Sequence, residues 1–325
     1  MKIGRISFLT VILSALVVSA AYFSEGYLGI FIFSLLINGI MAVSFDIPGR
    51  SLGLISLGHA IFFGMGAYCF GIAISQGFTF FPALILSALV SAAGALVITL
   101  LLAGLNHGYY SLATLGILII FQRLAETLES FTGGSAGLYI PETLSNLHCN
   151  LLAACLLLAT AGCHVLYSRS RWGLYSKETE ASEEAAEAIG IPTRKVKTLC
   201  LMMSAIPASM AGLLYLARTS YVSPASGFSL TLSITALLAS RIVPARGIPG
   251  PLTGVLLITV AEEVIWTKFE GFNHALFGLI LLGAAWYQGM ESSEAGFNFI
   301  KKGFRARVYF SSDFEKNKES EIRRR

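Results

Sequence analysis

The composition of this 325-residue chain is that of a membrane protein, because apolar residues make up 55% of it and charged residues only 13%. A mean hydropathy of +0.70 leaves too little polar surface for a soluble globular protein. The net charge of +4 is small, and the basic residues are not interleaved with aromatic ones, which argues against nucleic-acid binding.

Apolar segments long enough to cross about 30 Å of hydrocarbon recur along the chain, since a helix rises about 1.5 Å per residue. We predict an all-α integral membrane fold with about ten transmembrane helices in residues 1–290 and a charged cytoplasmic tail at 291–325. The predicted spans are 7–23, 27–45, 52–75, 82–104, 108–128, 149–168, 197–216, 229–243, 250–267 and 272–289. Lys2 and Arg5 before the first span also resemble a signal peptide, but the charge distribution favours an uncleaved span.

The distribution of Lys and Arg predicts the orientation of these spans. With a cytoplasmic N-terminus, twenty of the twenty-three basic residues fall on the cytoplasmic side, and only Arg123, Arg218 and Lys268 fall outside. An even number of spans then places both termini in the cytoplasm. The second to fifth and seventh to tenth spans run in opposite senses, which allows an inverted repeat.

Small residues dominate the third predicted span. They permit either close helix packing or a broken helix whose freed backbone groups line a water-filled path. Hydroxyl groups at the start of the fifth span either face a polar pathway or bond to the backbone of their own helix, as Ser and Thr often do. The residues that we predict to line a translocation pathway are Ser56, Gly58, His59, Gly64 and Thr114.

His59 is the most unusual residue of the third span, because an ionisable side chain is costly in lipid. It should therefore face the protein interior, with Ser56 as a candidate partner one turn earlier. Three roles are open: a structural hydrogen bond between helices, a pathway-lining group or a proton carrier. His164 lies nearer the cytoplasmic end of its span, where a structural role is expected.

The loop after the fifth span is rich in glycine. Arg123 and Glu126, three residues apart at the end of that span, can form an ion pair. Thr132, Gly133 and Gly134 follow in a segment that is either a simple turn or a contact surface for an external partner.

Residues 169–197 form the one long charged segment that has apolar spans on both sides, and they carry the signals of a short helix. Ser182 suits its N-cap, Gly190 a left-handed residue at its end, and Pro192 prevents continuation. Two turns are marginal in water, so the helix needs a partner surface. Ala181, Ala185, Ala188 and Ile189 share one face; the alternative is a solvated connector.

Motifs for catalysis and for energy supply are absent from the sequence. There is no G-x-x-x-x-G-K-[ST] phosphate loop, no nucleophile–base signature and no metal-ligand spacing among the five His and five Cys residues. We expect no enzyme activity, metal or cofactor in this chain. If transport is driven by ATP, the nucleotide is bound by another subunit.

Several stretches, in a fixed order, resemble the permease subunits of branched-chain amino acid ABC importers, a family shared with urea importer permeases. They are 53–68, 110–115, 132–138, 172–197, 221–224 and 250–254. The resemblance extends over residues 27–290. It implies an inner-membrane protein that works with a second, homologous permease chain, two ATPase subunits and an extracytoplasmic solute-binding protein.

The resemblance also implies a coupling helix that contacts the ATPase, formed here by Ala185, Ala186, Glu187, Ala188 and Gly190. Two departures affect the expected substrate and gating. Leu54 stands where many amino-acid permeases of the family have a glutamine, and a leucine at this position resembles the urea branch. Pro244 lies where the family has a glycine-rich stretch.

The sequence-based prediction is therefore a permease subunit for branched-chain or related amino acids, with urea or a short amide as the second substrate class. Two rival classes are an ion-coupled secondary transporter or channel, with His59 as an ion or proton ligand, and a membrane scaffold without a pathway. Dependence of uptake on ATP or on a proton gradient distinguishes the first rival. Water accessibility along residues 56–68 distinguishes the second.

Overall fold

Helices account for most of the chain in the computed structural model, which describes residues 26–102, 105, 107–243 and 247–268. The helices are α1 (Gly26–Ser51), α2 (Ala60–Ser75), α3 (Phe80–Leu102), α4 (His107–Thr127), α5 (Glu129–Thr132), α6 (Asn146–Arg169), α7 (Arg171–Ala181), α8 (Glu183–Ala188), α9 (Thr193–Thr219), α10 (Pro224–Gly227), α11 (Leu230–Arg241) and α12 (Pro249–Lys268). A short 3₁₀ turn spans Gly134–Ala136. Strands β1 (Leu138–Tyr139) and β2 (Tyr221–Val222) pair antiparallel.

Five of the described helices are long and apolar enough to cross a membrane: α1, α3, α4 from Gly108, α6 and α9. They correspond to the predicted spans 27–45, 82–104, 108–128, 149–168 and 197–216. The predicted spans 7–23 and 272–289, the tail 291–325 and Pro244 lie outside the described residues. The helical fold class is confirmed, with the β1–β2 pair as a small exception; the count of ten remains a prediction.

The predicted span 52–75 is not one continuous helix, because α2 begins only at Ala60; the broken helix, one of the two alternatives for its small residues, is observed. Residues 52–59 are irregular, and Gly53 among them has a positive φ of 64°. The predicted span 229–243 is a helix of 12 residues, α11, while 250–267 agrees with α12. The chain divides into two compact units at Ala261, and of the second unit the structure describes residues 262–268.

Helix α9 is the centre of the first unit, since it packs against α1, α2, α3 and α6. In α1 and α9, 67% of the most apolar window is buried, against 28% in α3 and 22% in α4. The latter two helices therefore lie at the periphery of the protein. Helix α2 crosses α9 very closely: a Cβ atom at Gly66 would lie 2.1 Å from the Ser209 carbonyl oxygen, and one at Gly212 would lie 2.0 Å from that of Phe63.

Helix α3 has the polarity expected of a helix in lipid. Its buried face carries small and hydroxyl-bearing residues, whereas large side chains such as Leu89, Leu100 and Leu101 are exposed. A soluble protein would bury the leucines instead. The buried residues of α3 are Ala83, Ser87, Ser91, Ala95, Ile98, Thr99 and Leu102.

Candidate functional site

The irregular segment 52–59 is a break between two helices whose backbone is hydrogen-bonded by side chains from other helices. Ser111 Oγ of α4 donates to the Ile55 carbonyl oxygen at 2.6 Å. Thr114 Oγ1 accepts from the Leu57 amide at 3.2 Å. Ser233 Oγ of α11 accepts from the Ala60 amide at 2.9 Å. Irregular backbone at membrane depth needs such partners, because the hydrocarbon core offers none.

Two of the predicted pathway residues, Gly58 and Thr114, are in direct contact. A Cβ atom added at Gly58 would lie 2.3 Å from the Thr114 carbonyl oxygen, so only glycine fits there. Ser56 is buried in the same break, with 6% of its surface exposed. Thr114 also donates to the Ser111 carbonyl oxygen of its own helix at 2.9 Å, as expected for a threonine in a helix.

Gly58→Ala tests this contact. We expect the variant to lose roughly 1–3 kcal/mol of stability, because the added methyl group would overlap backbone atoms, which cannot relax as a flexible side chain could. Gly116→Ala in α4 is the control, since no atom lies within 4 Å of a Cβ there. The measurement is the thermal unfolding of the purified protein in detergent; equal melting temperatures for the two variants would contradict the close approach.

His59 is buried inside the protein and contacts α1. Its Nε2 atom is 2.9 Å from Ser44 Oγ, and its ring packs edge-on against Phe45 and Phe62. The same hydroxyl also lies 3.0 Å from the Met41 carbonyl oxygen of its own helix, to which it donates. The predicted partner Ser56 is therefore wrong, and the contacts favour a structural hydrogen bond over the two other roles.

Gly64, the remaining predicted pathway residue, lies beneath the ring of Phe228. A Cβ atom at Gly64 would lie 2.3 Å from a ring carbon. Phe228 comes from the short connection between α10 and α11. Gly64 in α2 thus contacts Phe228, whereas Gly58, just before α2, contacts Thr114 of α4.

The charged segment 169–197 contains the predicted short helix, α8. Ser182 Oγ accepts from the Ala185 amide at 3.2 Å, which confirms the N-cap. Gly190 has a φ of +87°, which confirms the left-handed residue at the end. Its amide donates to the Glu187 carbonyl oxygen, and the Ile191 amide to that of Ala186. These two bonds form a Schellman motif, so both ends of the helix are capped.

Side-chain contacts attach α8 to the start of α9. Glu187 Oε1 accepts from Thr193 Oγ1 at 2.6 Å, and Glu183 Oε1 forms an ion pair with Lys197 Nζ at 2.6 Å. Ala186 is buried on this side, with 2% of its surface exposed. The predicted apolar face points the other way and is exposed at all four positions, with Ile189 73% exposed: Ala181, Ala185, Ala188 and Ile189.

A buried ionic junction that we did not predict joins α1, α6 and α11. Asp46, 1% exposed, accepts from Arg50 Nε at 3.0 Å and lies 3.0 Å from His164 Nε2. Arg50 also donates to the Ser240 carbonyl oxygen at 3.3 Å, and Arg241 to that of Gly49. The sequence signal was a lone carboxylate at the end of an apolar helix with an arginine four residues later.

Of the three residues predicted to contact an external partner, two are buried and one is exposed. Thr132 is buried, and its hydroxyl donates to the Ala125 carbonyl oxygen at 2.6 Å. Gly134 is buried beside it. Only Gly133 is exposed, so an external partner would not meet Thr132 or Gly134. The predicted pair of Arg123 and Glu126 is confirmed at 2.6 Å.

The large exposed side chains of this loop are those of Phe131 and Tyr139, at 62% and 70%. The rings of Tyr139 and Tyr221 contact each other across the β1–β2 pair, tilted by 35° with 4.4 Å between ring centroids. Among the described residues, no three His, Cys, Asp or Glu side chains are grouped closely enough to hold a metal ion.

Sequence comparisons support the resemblance. A family model described as "Branched-chain amino acid transport system / permease component" matches residues 27–285. The permease protein LivM of the high-affinity branched-chain amino acid transport system of Salmonella typhimurium is 26% identical over 277 residues, which cover 75% of this chain and 63% of that protein. LivM of Escherichia coli is 25% identical with the same coverage. The match thus spans less than two thirds of the length of these relatives, and no solved structure matches.

Proposed function

This chain belongs to the family of permease components of branched-chain amino acid transport systems, and from that premise we propose that it is a membrane subunit of an ATP-driven importer. Its substrates are branched-chain or related amino acids. It resides in the inner membrane with both termini in the cytoplasm, as the positive-inside distribution of Lys and Arg indicates.

The observation that carries this proposal is the geometry of α8. A helix of six residues is too short to be stable alone, yet this one is capped at both ends and attached to α9 through Glu187 and Glu183. Its exposed face is apolar and includes Ile189. A rigid element with such a face is suited to receive a movement of an ATPase subunit and to pass it to the membrane helices.

The complete importer contains further chains. We infer a second, homologous permease chain, two ATPase subunits that bind ATP, and an extracytoplasmic solute-binding protein. The external partner would meet the side of the protein that carries Gly133, Phe131 and Tyr139, which are exposed. The surrounding lipid would contact peripheral helices such as α3, whose leucines face outward.

Reconstitution tests the proposed function. The chain is co-expressed with an ATPase, a second permease and a binding protein of the same organism, and uptake of radiolabelled leucine, valine and urea into proteoliposomes is measured with and without ATP. We expect saturable, ATP-dependent uptake of leucine and valine. Uptake that needs no ATPase and stops when a proton ionophore is added would overturn the proposal in favour of a secondary transporter; uptake of urea alone would overturn the substrate assignment.

Glu187→Lys tests the attachment of α8 to α9. The lysine cannot accept the hydrogen bond from Thr193, so α8 should lose its fixed position, and we expect roughly five- to tenfold less ATPase to co-purify. Glu184→Lys makes the same change of charge at an exposed position of the same helix and should keep most of the ATPase. Equal losses in both variants would show that charge alone, and not the attachment, decides the binding.

A further inference from the structure

Three aromatic rings from three separate segments, one of them α2, form a cluster in which two rings are buried and Phe121 is partly buried. Phe228 stacks on Tyr68 with 5.6 Å between ring centroids and an angle of 8°, and it lies 6.0 Å from Phe121 at 39°. Tyr68 belongs to α2, Phe121 to α4 and Phe228 to the connection between α10 and α11. Only 4% of the surface of Phe228 is exposed, so the ring fills a space between these elements.

The space that Phe228 fills has glycines where side chains would otherwise stand. A Cβ atom at Gly64 would lie 2.3 to 2.7 Å from three carbons of the Phe228 ring. Gly227 lies against Tyr68, where a Cβ atom would be 3.2 Å from the tyrosine ring. The slot is therefore the size of one large apolar side chain, and it exists because α2 carries no side chain at Gly64.

Tyr68 brings an unused polar group to this apolar slot. Its side chain is buried, with 5% of the residue exposed, and its hydroxyl has no hydrogen-bond partner among the described residues. A buried hydroxyl without a partner is unfavourable, because most buried polar side-chain atoms in native proteins have one. A slot with apolar walls and one polar group is the usual composition of a site for a small amphipathic molecule.

Phe228 lies in a short connection between two helices. It follows α10, a helix of only four residues, and precedes Ser229, the N-cap of α11. A few residues between helices are the usual place for a hinge. The opposite face of α2 is not available to a ligand, because Gly66 brings it into backbone contact with α9.

We propose that the Tyr68–Phe121–Phe228 cluster is the subsite for the apolar side chain of the transported amino acid. In the closed state Phe228 occupies the place of that side chain above Gly64. When Phe228 leaves, the substrate side chain enters the slot, and the Tyr68 hydroxyl forms a hydrogen bond with a polar group of the substrate. This inference rests on the proposed function and adds the location and chemistry of the substrate site.

Tyr68→Phe in the complete reconstituted importer is the decisive variant. Because the removed hydroxyl has no partner in this structure, stability should not fall, whereas we expect the KM for leucine to rise roughly three- to tenfold. Ser91→Ala is the control, since Ser91 also has a buried hydroxyl without a partner but lies on α3, outside the cluster. A KM for Tyr68→Phe within twofold of the wild type would overturn the inference.

Phe228→Ala tests the role of the ring in the closed state. We expect leucine preloaded into proteoliposomes to leak out at least tenfold faster without ATP, whereas Phe228→Leu, which keeps an apolar side chain over Gly64, should leak little. Chromatography in detergent shows whether each variant is folded. Absence of a leak in a folded Phe228→Ala complex would contradict the proposal. Failure of the wild type to transport leucine would instead contradict the proposed function.

Discussion

Replacing Ile189 by aspartate should abolish ATP-driven uptake and leave the amount of folded protein in the membrane unchanged. The side chain is 73% exposed, so its loss removes little from the fold. Burial of an isoleucine in a partner contributes about 1.5–3 kcal/mol, and an unpaired carboxylate in the same place adds a desolvation cost. The affinity for the ATPase should therefore fall by a factor of a hundred or more.

The measurement is co-purification of the ATPase together with uptake by the reconstituted complex. Ile189→Leu keeps the apolar surface of α8 and should retain both. If Ile189→Asp binds and transports normally, the exposed face of α8 is not the contact surface, and the coupling proposal fails. If its expression falls as well, the side chain has a structural role that its exposure does not indicate.

Replacing Asp46 by alanine should destabilise the protein by about 1.5–3 kcal/mol, because Arg50, whose side chain is 31% exposed, and His164 then lose the buried carboxylate that they share. Arg50 and His164 come from α1 and α6, and Arg50 in turn contacts α11 through the Ser240 carbonyl oxygen. The change should therefore loosen three helices together. It is measured as a lower unfolding temperature and a lower yield in detergent.

Glu126→Ala is the matched control for Asp46→Ala. Glu126 forms an ion pair with Arg123, whose side chain is 73% exposed, and exposed pairs contribute at most about 1 kcal/mol. Asp46→Asn keeps the shape of the side chain and should have an intermediate effect. Equal stability of the Asp46 and Glu126 variants would show that the junction around Asp46 contributes no more than a surface pair.

The sequence predicted those features whose causes are local. Ser182 caps the start of α8 through a hydrogen bond from the nearby Ala185 amide, and Gly190 ends the helix with a positive φ. Both residues have the predicted roles. Five of the ten predicted spans correspond to long helices of the described residues, because an apolar run of some 20 residues has few alternatives in a membrane. The positive-inside distribution still supplies the orientation, which rests on the sequence alone.

The features that the sequence did not predict depend on distant contacts. The glycines and serines of residues 52–59 suit a continuous helix as well as a break, and Ser111 and Ser233, which bond the irregular backbone, lie far along the chain. The partner of Asp46, His164, is 118 residues away. The partner of His59 is Ser44, which lies on α1, and not the predicted Ser56.

The burial of Ala186 shows the same limit within α8. Helical periodicity groups the residues of a face, but it does not say which face meets the rest of the protein. The predicted apolar face is exposed, and Ala186 on the other side packs inward next to Ile191. Both faces of α8 thus carry apolar residues, one for its own chain and one for a partner.

The crossing of α2 and α9 limits how this protein can change shape. At Gly66 and Gly212 the two backbones already touch, so the helices cannot slide past each other without first separating. We expect the two helices to move together as one rigid body. Under the proposed function, the flank of α2 that faces α4 and α11 is then the side on which a solute would pass, and its residues are the first to substitute when a different substrate is wanted.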